Sequence, residues 1–167
     1  MLTGARTALT LAVLALIVVV AGGWGWGMLT APFPEKADLP PCSSVDVHAG
    51  DHVFAAQVTV SVLNASGREG LAGRTIAALS GDGFATGTSG NAERGTKVGT
   101  VQIWTTSPSS PAVRLVAAWL PGVKVVRKQV TEPGVVVVVG DQFNGVGKGP
   151  KSITAQSDAT ICSPTLA

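Results

Sequence analysis

From Ala8 to Leu29 the chain carries no charged side chain: "ALTLAVLALIVVV" runs into "AGGWGWGML". About 20 uncharged and mostly apolar residues are enough for a helix to cross the roughly 30 Å hydrocarbon core of a bilayer. This run divides the sequence into a short N-terminus over 1–7, an expected transmembrane anchor over 8–29, and a remainder that the anchor would export. Trp24 and Trp26 stand at its far end, where amphipathic aromatic rings favour the membrane interface. Arg6 precedes the run, whereas Glu35, Lys36 and Asp38 follow it. The positive-inside rule then predicts a cytoplasmic N-terminus and an extracytoplasmic C-terminal domain at the cell membrane. A cleaved signal peptide is the competing reading. It requires small residues ahead of the cut, and "MLTAP" offers Leu29 there and Pro32 just after. A lipoprotein reading of "LPPC" fails similarly, because prolines hold the small-residue positions and Cys42 lies well beyond the apolar run.

Export decides how the two cysteines are read. Cys42 and Cys162 flank nearly the whole exported region. Outside the membrane, an isolated pair is expected to form a disulfide. In the chain-entropy model, closing so long a loop stabilises by about 4–5 kcal/mol. It would also tie down "KSITAQSDATICSPTLA", which otherwise carries few signals of order. The net charge is +2 without charge blocks, and no Lys/Arg cluster is interleaved with aromatics, so nucleic acid is not an expected partner.

Beyond the anchor, 30–56 reads as a proline-rich spacer, "TAPFPEKADLPP", followed by an irregular segment. Regular patterning begins at Gln57. "QVTVSVL" alternates, which places Val58, Val60 and Val62 on one face of a strand. Ser66 and Glu69 have the spacing of a capping box, and Leu71, Ala72, Ile76 and Leu79 share one helical face. "GDG" at 81–83 ends that helix, and 84–88 is a weak strand. After a polar loop, "TVQIWT" over 100–105 is a strand and "SPSSP" opens a second helix. Its buried face is Val113, Val116, Ala117 and Leu120, and Pro121-Gly122 stops it. "KVVRKQV" reads as an edge strand, and "GVVVVVG" over 134–140 as a strand covered on both sides. The expected fold is α/β (α+β), β-α-β-β-α-β-β, with two helices packed on one mixed sheet over 57–144, and an extended tail over 145–167.

"VTVSVLNASGREGLAGRTIAALSGDGF" has the strand–glycine turn–helix layout of many phosphate-binding loops. It fits neither of the two common ones. No lysine follows Gly70 or Gly73 as a Walker loop requires, and the spacing of Gly67, Gly70 and Gly73 is not that of a dinucleotide fingerprint. What remains is a turn at a strand's carboxyl end, where ligands of α/β sheets gather, with arginines suited to a carboxylate or phosphate. Its candidate ligand- or partner-contact residues are Asn64, Ser66, Gly67, Arg68, Gly70 and Arg74. The competing reading is that Glu69 caps the helix and the motif only secures the turn. Asn64-Ala65-Ser66 also matches an N-glycosylation sequon. His48 and His52 are four apart in "HAGDH", but Gly50 disfavours a helix there and no third ligand is evident, so no metal is expected. No nucleophile–base constellation can be assembled that leaves the cysteines free, and neither catalysis nor a cofactor is expected. Trp104 and Trp119 are expected in the core.

The opening pattern, V-x-V-x-N-x-[ST]-G-x-x-G-L-A in the sense of Val60 to Ala72, resembles the LytR C-terminal domain family. Asn91-Ala92, the aromatic strand at Trp104, the helix closing on Leu120 to Gly122 and "VVVVVGDQF" over 135–143 extend the resemblance to roughly 58–143. In that family the domain follows some LytR-CpsA-Psr phosphotransferases, which attach glycopolymers to peptidoglycan, or stands alone behind a single membrane anchor in actinobacteria. The resemblance implies a non-enzymatic, membrane-anchored accessory protein supporting envelope integrity. Its partner would be a cell-wall glycan, a lipid-linked precursor or such a phosphotransferase. The family has no established catalytic residues to carry over. A small envelope hydrolase or transferase is the alternative, and it would require several titratable groups converging in one pocket.

Overall fold

The computed structural model describes residues 2–30 and 42–165. The chain divides into two compact units, 1–38 and 39–167. Of the expected spacer over 30–41, residues 31–41 lie outside the described residues. Among the described residues the first unit holds one helix, α1 (Leu2–Thr30), of 29 residues. Its described side chains, Leu9 to Trp24 and Trp26, are all exposed. Among the described residues no helix is long and apolar enough to cross a membrane.

The second unit is a mixed α+β fold. Its elements are β1 (Ser43–Val47), β2 (His52–Phe54), a short 3-10 turn, β3 (Thr59–Asn64), α2 (Leu71–Gly81), β4 (Ala85–Asn91), β5 (Val101–Thr105), α3 (Pro111–Ala117), β6 (Lys124–Arg127), β7 (Val135–Val139), β8 (Ser152–Thr154) and β9 (Ala159–Ser163). Five of the strands make one mixed sheet in the order β4-β3-β7-β5-β6. β3 is parallel to β4 and β7, β5 is parallel to β6, and β5 is antiparallel to β7. The five-valine strand is central and wholly buried, which is where an unbroken apolar run is stable. Val60, Val62, Ile103 and Val137 meet Leu71, Ile76 and Leu79 of α2 and Val113, Leu115 and Val116 of α3 on one face.

The other face is also covered. Leu63, Trp104, Val136 and Val138 form a second cluster with Val98, flanked by Ala92, Val126 and Val130. Thr59 and Ser61, which alternate with the valines of β3, are 0% exposed. The segments carrying Ala92, Val98 and Val130 lie over this face, and Ser61 meets its polar needs there. Its hydroxyl donates to the Pro133 carbonyl (2.7 Å) and accepts from the Thr88 N–H (3.1 Å). Trp104 and Trp119 are both buried.

The terminal segments of this unit depart from expectation. Residues 42–54 are not irregular, because β1 pairs antiparallel with β9 and β2 with β8. Cys42 and Cys162 form a disulfide with a Cα–Cα distance of 5.4 Å, well inside the usual range. Val47, Val53 and Ile161 join the core from these strands, and Ala155 from just after β8. The strands are short, and each contributes at most one buried apolar residue, so no periodicity marks them in the sequence.

Candidate functional site

The turn after β3 is organised by one side chain. Asn64 Oδ1 accepts from the Ser66 N–H (3.0 Å) and the Ser66 hydroxyl (2.7 Å), while Asn64 Nδ2 donates to the Arg68 carbonyl (2.8 Å). The Ser66 hydroxyl oxygen in turn accepts from the Arg68 N–H (3.1 Å). This asparagine-centred turn uses the hydroxyl that the capping box needed. The expected cap is therefore absent, and Arg68 lies before the helix instead of in its first turn. The N-cap is Gly70, at φ +68°, with no side-chain hydrogen bond. Glycine reaches this left-handed conformation without the penalty a Cβ would bring.

The end of β7 packs against this turn. The Ala65 N–H donates to the Val139 carbonyl (2.8 Å), and the Gly67 N–H to Asp141 Oδ1 (3.0 Å). Arg68 Nη1 donates to the carbonyls of Phe143 (2.7 Å) and Asp141 (3.4 Å). Arg74, one turn into α2, donates through Nη2 to the Glu69 carbonyl (3.1 Å). A cleft of about 170 Å³ runs between α2 and the coil over 143–146. Arg68 and Arg74 line it, with Leu71, Thr75, Phe143 and Val146. Both guanidiniums are held by backbone carbonyls. Among the described residues no carboxylate lies within 4.0 Å of either, so two positive charges face one cleft without a paired anion.

The structure therefore separates the sequence candidates. Arg68 and Arg74 come together in the cleft. Asn64, Ser66 and Gly67 make internal hydrogen bonds that shape the turn, and Gly70 redirects the chain into α2. The opposite wall, Phe143 to Val146, was not among the candidates. Nothing local in the sequence links it to a turn some 75 residues earlier. At the other candidate, His48 Nδ1 stands 3.7 Å from Asp158, and no group of three metal-ligating side chains occurs among the described residues.

A family model described as "LytR cell envelope-related transcriptional attenuator" matches residues 57–143, which is 87 of the 167 residues. The chain belongs to the LytR C-terminal domain family. The role this implies is cell-envelope-related, and the domain is the non-catalytic C-terminal part of envelope-related attenuators. The fold is similar to the soluble domain of a conserved hypothetical secreted protein, an Rv2700 ortholog, from Mycobacterium marinum. The similarity has a TM-score of 0.51 and 23% identity, covering 66% of this chain and 79% of that one. No curated protein matches this LytR C-terminal domain chain.

Proposed function

We propose that this chain is a membrane-anchored, non-enzymatic accessory protein of the cell envelope that binds an anionic wall glycan through the Arg68/Arg74 cleft. The observation that carries the binding role is the pair of guanidiniums held on carbonyls alone, which leaves their charge for a ligand carboxylate or phosphate. The apolar wall of Leu71, Phe143 and Val146 suits the carbon face of a sugar or an acyl group beside that charge. The anchor is proposed from the sequence alone, where the uncharged and mostly apolar run over 8–29 is about the 20 residues that a bilayer core takes. The secreted character of the Mycobacterium marinum protein supports an extracytoplasmic domain.

The test is binding of an acidic wall glycan to the full chain in detergent micelles, with Arg68→Ala/Arg74→Ala as the comparison. The double variant is expected to bind at least about tenfold more weakly, a loss of about 1.4 kcal/mol. Its thermal unfolding should show only the loss of the Arg68 and Arg74 hydrogen bonds, about 0.5–1.5 kcal/mol each. Equal affinity in a folded double variant would move the binding surface elsewhere.

A further inference from the structure

The chain holds three asparagines, Asn64, Asn91 and Asn144. An asparagine converts itself to an acid when the backbone nitrogen of the next residue attacks its side-chain carbonyl carbon. That nitrogen must be free of other hydrogen bonds, and a Cβ beside it hinders the approach. The three asparagines differ on both counts. Ala65 follows Asn64, and its N–H donates to the Val139 carbonyl (2.8 Å). The Asn64 amide is itself held by Ser66 and by the Arg68 carbonyl. Ala92 follows Asn91, and its N–H donates to the Asn64 carbonyl (2.9 Å). Neither of these nitrogens is free to attack.

Asn144 is the exception. It lies with Gly145 in exposed coil after β7, outside any helix or strand. Among the described residues neither the Asn144 side-chain amide nor the Gly145 N–H has a hydrogen-bond partner. Gly145 brings no Cβ, and at φ +125° there is open space where one would stand. Asn144 also lines the cleft together with Arg68 and Arg74. No acidic side chain lines that cleft, and among the described residues neither arginine has a carboxylate within 4.0 Å. A carboxylate formed at position 144 therefore enters a cleft whose charge is otherwise only positive.

We propose that Asn144-Gly145 is a self-processing site, at which deamidation puts a carboxylate into the Arg68/Arg74 cleft and lowers its affinity for an acidic ligand. This rests on the anion-binding reading of that cleft and adds its regulation. The Gly145 nitrogen gives up its proton to solvent and bonds to Asn144 Cγ. The Cγ–Nδ2 bond breaks, and Nδ2 takes a proton from solvent and leaves as ammonia. Water then opens the resulting cyclic imide at one of its two carbonyls. The free carboxylate is left on the side chain, as aspartate, or on the main-chain carbon, as isoaspartate. One water is consumed and one ammonia released, with no oxidant or reductant. A neutral amide becomes an anion, and like other charge-changing modifications it acts through the charges that face it. The competing reading is a surface conversion without effect on the cleft.

The experiment ages the full chain in micelles at mildly alkaline pH over several days and maps its peptides by mass spectrometry. Samples are titrated with hexagalacturonate and, in parallel, with a glycerol-phosphate hexamer, so that a carboxylate and a phosphate ligand are told apart. Asn144 is expected to convert well ahead of Asn64 and Asn91, with affinity falling in step with the converted fraction. Fresh Asn144→Asp should bind about fivefold more weakly than wild type, the upper end for one solvent-exposed charge pair. Asn144→Gln should hold its own starting affinity through the ageing, because its longer side chain closes the ring far more slowly. Conversion of Asn144 no faster than that of the other two asparagines overturns the processing site while the cleft stands. If Asn144→Asp binds like wild type where Arg68→Ala/Arg74→Ala binds more weakly, the new carboxylate does not reach the arginines and the regulation is refuted. Absence of binding by both probes overturns the cleft and its regulation together.

Discussion

The five-stranded sheet and the pair of terminal ribbons solve the same problem with different means. β7 is buried along its whole length, and β3 nearly so. In the ribbons, β1 is exposed except at Val47, and β2 except at Val53. Two-stranded pairs of this kind are marginal on their own. Here they gain order from three supports: the few side chains they insert beside α3, the hydrogen bonds across long sequence separations, and the Cys42–Cys162 bridge closing a span of 120 residues. The sheet is thus specified by side-chain burial, and the ribbons by covalent and long-range ties. The family match follows the same division, since 57–143 contains the sheet and neither ribbon.

The comparison breaks most sharply under a buried charge. Val137 is 0% exposed and pairs with Val62 and Ile103, whereas Val45 in β1, opposite Ile161, is 39% exposed. Val137→Asp should cost more than about 4 kcal/mol or abolish folding, and Val45→Asp should stay within about 0.5 kcal/mol. Chemical denaturation followed by circular dichroism reads both. Similar losses in the two variants would mean that the ribbons are packed as tightly as the sheet.

Removing the covalent tie should have the next largest effect, and it should fall on the other region. Cys42→Ser with Cys162→Ser leaves no lone thiol and is expected to lose about 2–5 kcal/mol. Amide exchange should quicken in β1, β2, β8 and β9 while β3 and β7 keep most of their protection. If the sheet amides lose protection to the same degree as the ribbon amides, the two regions unfold as one unit and the contrast between them disappears.

The same difference in means explains what the sequence disclosed. The order of elements from β3 to β7 was legible because each carries its own period: Val58, Val60 and Val62 alternate, Leu71, Ile76 and Leu79 share a helical face, and five valines require cover on both sides. The five valines called for cover on the reverse face, but which segments supply it was not legible, because nothing local marks Val98 or Val130 as packing with Leu63, Trp104, Val136 and Val138. The misread cap has a local cause. Ser66 and Glu69 have the correct spacing, but Asn64 competes for the same hydroxyl and Gly70 starts the helix later. At the candidate site both arginines stood in the motif, while the wall at Phe143 depended on a contact across 75 residues that no local pattern encodes.

The smallest expected effect sharpens the contrast within the ribbons themselves. Asp158, in the turn between β8 and β9, accepts the Ala49 N–H (2.9 Å) from the turn between β1 and β2, and its other oxygen lies 3.7 Å from His48 Nδ1. The Ala49 hydrogen bond, aided by the nearby imidazole, holds this carboxyl below its ordinary value, against a small opposing effect of desolvation. A carboxyl depressed in the folded state contributes stability above its unfolded pKa of about 3.9 and loses it as pH falls through the lower folded value. Wild type should therefore shed a small increment of ribbon stability as pH drops below about 4. Asp158→Asn keeps an acceptor for Ala49 but cannot titrate, so the gap between the two melting temperatures should narrow over that acid range. His48→Ala should leave most of the acid dependence in place, because the backbone N–H is the leading cause of the depression. A gap that stays constant from neutral to acid pH would show that this contact does not link the two turns energetically. The disulfide and the few buried side chains would then hold the ribbons without it.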